Sequence, residues 1–560
     1  MFENSEKTKD LLNYRIPPEW RESVRIHTLH PPIPKNTDSI NFDIFDFEML
    51  FNDTATKELI RTGKTIGCFY IESSGMRSLL RRLDVETFEM LTAASSVIRP
   101  GVAESGMMQE FIARHKDPSR RKYLVPGMET YLGETYGVMI YQEDVIKVAH
   151  HIAGLSLEEA DLLRRAMSGK MRSHKAMKRI VDNFFSHAKE KGLTAYQAKE
   201  LWRQIESFAG YSFCKAHSAS FALLSYQVAF LKAHFPAEFM ASVLNNGGGF
   251  YSAAVYIQEA KRLGLKIELP SVNESEKEYV GKGKTIRIGL KAIKNLSYNA
   301  IDRIIEERKR DGKYISLADF LVRTKLAYEE TAMLIKCGAM GCFKQTRPTL
   351  MRLLDIYIHR RKILEERSSD LFVNETFALE EKVKTDENYS LAEICKEEYQ
   401  AFGYMVTRHP LHFYKEWIEQ PGVVLAKDMQ RYKNKRVKMI GWYMTSKRIK
   451  TKKGEIMKFL SLEDLTGTFE AVIFPRVYYR VAELTLSMGP YLITGRIDVN
   501  DSTNIVTEDL KVLSSQAALA GLEKDSVENK YFGDEEKVTE EDFELAKALD
   551  KKKLRIAYAG

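Results

Sequence analysis

"FAGYSFCKAHSASFALLSYQ", residues 208–227, sets a cysteine, a lysine and a histidine among serines, small residues and aromatics. Cys214 and His217 invite a thiolate–imidazole reading. Nucleophilic catalysis by such a pair needs a third group to orient the base and a site for the oxyanion, and the spacing signals neither. The other reading is a binding wall. Gly210 lets the backbone turn, and Ala216, Ser218, Ala219 and Ser220 allow close approach of a ligand. The continuation "LLSYQVAFLKAHFPAEF", 223–239, reads as a buried helix with Tyr226 and Phe230 in the core.

The rest of the chain fits an intracellular, multidomain protein. Its 560 residues are enough for several cores, and 44% hydrophobic with 11% aromatic residues describes a folded chain. Five scattered cysteines, Cys68, Cys214, Cys337, Cys342 and Cys395, form no CxxC pair. That excludes a disulfide framework and a cysteine-rich zinc site, and no metal ligands are assigned. The first residues lack the basic start and apolar core of a secretion signal, and no apolar run is long enough for a membrane span, so a cytoplasmic location with no membrane partner is expected. A net charge of +8 is small for this length, so any basic surface must be local.

Six regions follow from the patterning. Residues 1–50 are a polar, proline-punctuated leader or connector, and 51–270 form a helical body. Within it Ser156 and Glu159, then Thr194 and Gln197, are spaced as capping boxes, Gly154 ends one helix, and "YGVMIY", 136–141, reads as one short strand. Residues 271–345 carry tandem helical hairpins, and 346–434 a helical linker. Residues 435–515 change to β-branched and aromatic runs between turns, five strands that suit a small OB-fold barrel. Residues 516–560 are an acidic tail. The fold class is thus mainly α, followed by a small β-barrel.

"TIGCFYIESSGMRSLLRRL" (65–83), "SSVIRPGVAESGMMQEFI" (95–112), "ETYGVMIYQEDVIKVAHHIAG" (134–154), "EADLLRRAM" (159–167), the stretch from Phe208 to Met240 and "GLKAIKNL" (289–296) occur in one order. In that order they resemble the bacterial DNA polymerase III alpha subunit, a C-family polymerase, from about residue 40 to 515. "IGCFYIES" and "AASSVIRPGVAESGMMQ" are more similar to its error-prone relative. The resemblance implies fingers, tandem helix-hairpin-helix motifs and an OB-fold.

It also implies roles. Such polymerases join nucleotides through two magnesium ions held by palm aspartates in a D-x-D strand, where alternate residues share a face. "NFDIFDFEML", 41–50, has Asp43 and Asp46 at a spacing that points them to opposite faces of a strand, so a solvated turn is expected, no catalytic residue is assigned, and this chain alone binds no cofactor. By itself it should be inactive as a DNA-directed polymerase, and a separate palm-containing polypeptide would complete it.

By resemblance Arg164 and Arg165 face the triphosphate of an incoming deoxynucleotide, since guanidinium forks match phosphate oxygens; the alternative is a surface pair bridged to Glu158, Glu159 or Asp161. Lys215 and His217 match a lysine and a histidine that lie near nucleotide or template, with Cys214 a bystander; His217 as a core histidine is the alternative. At the first hairpin the usual G-h-G turn reads Asn295, Leu296, Ser297, which puts phosphate capture in doubt and leaves Lys291 and Lys294 for nonspecific attraction. "SSDLF", 368–372, stands where the family carries its sliding-clamp peptide, with Asp370, Leu371 and Phe372 in the matching places. Lys447, Arg448, Lys450, Lys452 and Lys453 are read onto the loop between the first two barrel strands, as contacts to single-stranded DNA. Partners are therefore primer-template and single-stranded DNA, deoxynucleoside triphosphates and a sliding clamp. A non-catalytic single-strand- or clamp-binding protein on the same scaffold is the alternative.

Overall fold

The structure is a computed structural model that describes residues 42–98, 106–167, 174–206, 214–359, 382–451 and 453–513. It divides into two units, Met1–Phe47 and Glu48–Gly560. In the first, the Asp43 carboxylate accepts from the Phe45 N–H at 2.9 Å and its carbonyl from the Asp46 N–H at 3.0 Å. Both aspartates are exposed on a turn, as expected.

The second unit begins with helices whose starts are set by side chains. Ser156 Oγ accepts from the Glu159 N–H while the Glu159 carboxylate takes the Ser156 N–H, and Thr194 and Gln197 repeat the exchange. Each pair satisfies donors that a helix start leaves open. Helix Ser74–Leu83 is capped by Ser73 and buries Met76, Leu79, Leu80 and Leu83, the i, i+3, i+4, i+7 stripe of an amphipathic helix. Its opposite stripe, Ser74, Arg77, Ser78 and Arg81, is polar. Helix Lys215–His234 runs 20 residues with Tyr226 and Phe230 buried, as read from sequence. It stops at Phe235, because the residue before Pro236 is steered out of the helical region.

One expectation fails. Residues 136–141 form no strand; two turn residues lead into an extended segment before helix Gln142–Lys147. The Asp144 carboxylate accepts the Ile140 and Tyr141 N–H groups at 2.9 and 3.0 Å. A buried side chain thus replaces the neighbouring strand that these amides would otherwise need.

A small sheet follows that the sequence pattern did not reveal: β1 (Lys266–Glu268), β2 (Val280–Lys282) and β3 (Thr285–Arg287), in the order β1-β3-β2. At three residues each, these strands are too short for periodicity to register. Helices Tyr298–Asp311, Leu317–Thr324, Tyr328–Lys336 and Arg347–His359 build the hairpin region. Helix Leu391–Phe402 packs its Ala401 and Phe402 into the same core, so this part of the linker is structural.

The last body is a closed barrel of β4 (Arg436–Lys450), β5 (Ile456–Glu463), β6 (Thr468–Ile473), β7 (Tyr491–Ile497) and β8 (Asn504–Val512). The order β4-β5-β6-β8-β7, with β7 returning to β4, is that of an OB-fold. It docks on the polar stripe of helix Ser74–Leu83. Ser74 Oγ donates to Glu470 at 2.7 Å, Arg77 to Thr468 Oγ1, Arg81 to Thr503 Oγ1 at 2.7 Å, and Ser78 to Asp501. No helix among the described residues is long and apolar enough to cross a membrane.

Candidate nucleic-acid interface

Four groups withdrawn from solvent fix the turn that carries "IGCFYIES". Lys232 places its ammonium in the core, donating to the Lys64 and Ile66 carbonyls and to Glu259, each at 2.7 Å. Glu72 accepts from the Gly67 N–H at 2.8 Å, the Phe250 N–H at 2.7 Å and the Tyr256 hydroxyl. Thr65 Oγ1 donates to the Ile71 carbonyl, and Ser225 Oγ to the Phe69 carbonyl at 3.0 Å. Burial raises the Glu259 carboxyl, but the Lys232 and Arg262 charges overcome it and hold the group at about 2. Burial pushes the Cys68 thiol in the same turn to about 12, so it is inert.

This turn holds Tyr70 at φ 70°, in the left-handed region that costs a residue with a Cβ roughly 1–2 kcal/mol. Tyr70 stacks on Phe221 at 4.9 Å between centroids and 20° between planes, Phe69 lies 5.5 Å from Phe221, and the His217 ring meets Phe221 edge-on at 4.4 Å. Phe69 and His217 are exposed, so the cluster faces outward. Sequence reading missed Phe69 and Tyr70; the signal was a pair of large aromatics in a turn just after a glycine.

His217 is therefore on the surface, not in the core. Cys214 serves as the cap of helix Lys215–His234, its sulfur accepting from the His217 N–H at 3.4 Å. Lys215 Nζ reaches both Glu134 oxygens at 2.7 Å, and its N–H donates to Glu143 at 2.9 Å. Arg164 bonds to Asp161 at 2.8 Å and to Gln142 Oε1 at 3.0 Å, and Arg165 pairs with Asp161 at 2.7 Å. Hydrogen bonds from Arg164 keep Asp161 below the usual carboxylate range. Arg164 and Lys215, 51 positions apart in the chain, thus meet neighbouring residues of one short helix, Gln142 and Glu143.

The basic residues of the barrel lie differently from the loop reading. Lys447, Arg448 and Lys450 belong to β4 itself, opposite Phe459, Lys458 and Ile456 of β5. The connecting turn is only 451–455, where Gly454 at φ 78° lets its N–H reach the Thr451 carbonyl. Lys447, Arg448 and Lys450 are exposed on β4, with Lys453 exposed on the connecting turn, whereas Met457 and Lys458 on the facing stretch of β5 are buried. Lys452 lies outside the described residues. Trp442 packs beside Leu411 and Tyr414, whereas Phe474 is exposed.

In the first helical hairpin Asn295 takes φ 63° where a glycine is usual. The Lys294 N–H is engaged by the Ala401 carbonyl at 2.8 Å, and Ser297 donates from its N–H and hydroxyl to Glu330 at 3.3 and 2.7 Å. A carboxylate thus takes both Ser297 donors in this turn.

A cleft of about 1050 Å³ opens elsewhere, between Arg262, Arg287, Arg408 and His409, and contains none of the sequence-derived site residues. Among the described residues no group of three or more His, Cys, Asp or Glu side chains could hold a metal ion. Asp370, Leu371 and Phe372 lie outside the described residues.

Residues 27–192 match the bacterial DNA polymerase III alpha subunit finger domain, and 264–350 match a helix-hairpin-helix motif. The DNA polymerase III subunit alpha of Staphylococcus aureus (strain MRSA252) is 32% identical over 495 residues, which are 88% of this chain and 45% of that protein. The subunit alpha of Borreliella burgdorferi is 34% identical over 490 residues, 84% of this chain and 42% of its own length. This chain therefore spans less than half the length of either relative. The finger and hairpin matches fall on the two helical bodies in chain order, and over the part these relatives share with it the chain is similar to the DNA polymerase III alpha subunit.

Proposed function

We propose that this chain is the nucleotide- and DNA-binding part of a DNA polymerase III alpha-type enzyme of the error-prone subtype, acting in template-directed synthesis in replication or translesion repair. The observation that carries the reading is that the Arg164 guanidinium and the Lys215 backbone N–H bond to neighbouring residues of one helix, Gln142 and Glu143, with His217 exposed two positions beyond Lys215. The present partners of the two side chains, Asp161 and Glu134, are partly exposed, and such pairs are worth only about 0–1 kcal/mol. Phosphate oxygens of a deoxynucleoside triphosphate can displace them at small cost. The basic β4–β5 hairpin takes single-stranded template, and Asp370, Leu371 and Phe372 engage a sliding clamp. Magnesium and its palm carboxylates come from a separate palm-containing polypeptide, so no bond-making step is assigned to these residues.

Primer extension tests the reading. The chain alone should extend nothing; with a palm-containing polypeptide added, extension should appear and fall on Arg164→Ala or Lys215→Ala. Robust extension by the chain alone would overturn the need for a second polypeptide. Single-strand binding with no extension under any addition would favour a non-catalytic binding protein.

A further inference from the structure

The outward-facing cluster around Phe221 is built in a way that packing alone does not require. Tyr226 and Phe230, on the same helix, already seal the inner face, whereas Phe69 keeps 48% of its surface exposed and Leu224 46%. The turn that presents Phe69 and Tyr70 is anchored by a buried lysine and a buried glutamate, and it holds Tyr70 in a left-handed conformation. Strain and buried charge are concentrated where the exposed product is a set of fixed aromatic faces.

We propose that Phe69, Tyr70 and Phe221, flanked by His217 and Leu224, form a stacking platform for unpaired bases of a single DNA strand. This rests on the reading that the chain binds template. Bases stack on aromatic rings because every base has a π-face, whatever the sequence. A strand rather than a free nucleotide is the occupant for two reasons. His217, Phe221 and Leu224 follow one another along one face of the helix for about 10 Å, longer than a single base needs. The platform's own members, Phe69, Tyr70, Phe221 and Leu224, include no lysine or arginine, so the surface offers rings and not a triphosphate cradle. Binding here should therefore be insensitive to salt, unlike binding at the basic hairpin.

The test titrates the full chain with an oligodeoxythymidylate carrying one 2-aminopurine, whose fluorescence falls when it stacks. Quenching is expected with the unaltered chain. In the double variant Phe69→Leu and Tyr70→Asn it should disappear, with binding about tenfold weaker and the salt dependence of binding unchanged. Asparagine tolerates the left-handed backbone and leucine keeps the apolar bulk, while the unaltered chain gives a readout that needs no variant. Tight oligonucleotide binding without quenching overturns the platform and leaves the DNA-binding reading standing. No oligonucleotide binding overturns both. Quenching of free 2-aminopurine deoxyribonucleoside triphosphate but not of the oligonucleotide overturns the strand as occupant.

Discussion

Lys232 Nζ lies 2.7 Å from Glu259 Oε1, with the lysine side chain fully buried and the glutamate nearly so. The ammonium has three donors and three acceptors, so its charge is matched inside the protein. Glu259 also takes Arg262, which reaches on to Glu463 of β5 and, through it, His409. Breaking a buried pair strands the remaining charge. Lys232→Met should lower stability by about 3–5 kcal/mol, seen as a lower denaturant midpoint, and should expose the 64–72 turn to protease. An unchanged midpoint would show that the pair is dispensable.

The same pair sets an acid limit. Glu259 has its folded pKa depressed to about 2 from 4.5. Its stabilisation is therefore complete above about pH 5 and is lost as pH falls through the carboxylate range toward 2. Glu463 and Asp501, also held low against their burial, act in the same direction. Denaturant unfolding between pH 7 and 3 should show the loss, and Glu259→Gln should flatten the profile. A wild-type curve flat to pH 3 would contradict it.

Asp144 behaves oppositely. Burial raises it to about 6 although the Ile140 and Tyr141 amides favour its charge. Its folded pKa lies above the unfolded 3.8, so its ionised form costs stability as pH rises through 6. Asp144→Asn keeps an acceptor and never ionises, so at pH 8 it should match or exceed the parent. Asp144→Ala orphans two amides and should lose about 1–3 kcal/mol. Calorimetry at pH 8 checks the order, and alanine outlasting asparagine would refute it.

For the hairpin, strand alternation puts Lys447 on one face and Arg448 with Lys450 on the other. A strand lying along one face should be weakened by Arg448→Ala with Lys450→Ala, or by Lys447→Ala, but not equally by both. The affected variant should also reduce the slope of log K against log salt by about 0.7 for each phosphate it no longer neutralises. Equal effects in fluorescence anisotropy would mean that the strand wraps the tip.

Patterns with short range were readable in advance. The capping pairs at Ser156 and Thr194, the core positions of Tyr226 and Phe230, and five barrel strands all follow from spacing and residue type. What escaped depends on partners far along the chain. Residues 136–141 are a short apolar run such as a buried strand carries, and the Asp144 carboxylate beyond it takes the Ile140 and Tyr141 amides in place of a neighbouring strand. Lys232 looks like a surface lysine in "VAFLKAHF" until Lys64, Ile66 and Glu259 surround it. The basic residues of 447–450 read as a loop because charge hides the strand pairing of β4.

Helix Ser74–Leu83 starts two residues after Glu72 and carries the barrel on its polar stripe. The aromatic turn and the basic hairpin are thus mounted on one short lever, not joined by a tether. For a strand that touches both, the second contact is made at a fixed separation and with little entropy left to lose, so affinity should rise stepwise with oligonucleotide length once that gap is spanned. The chain would act as a ruler for single strands.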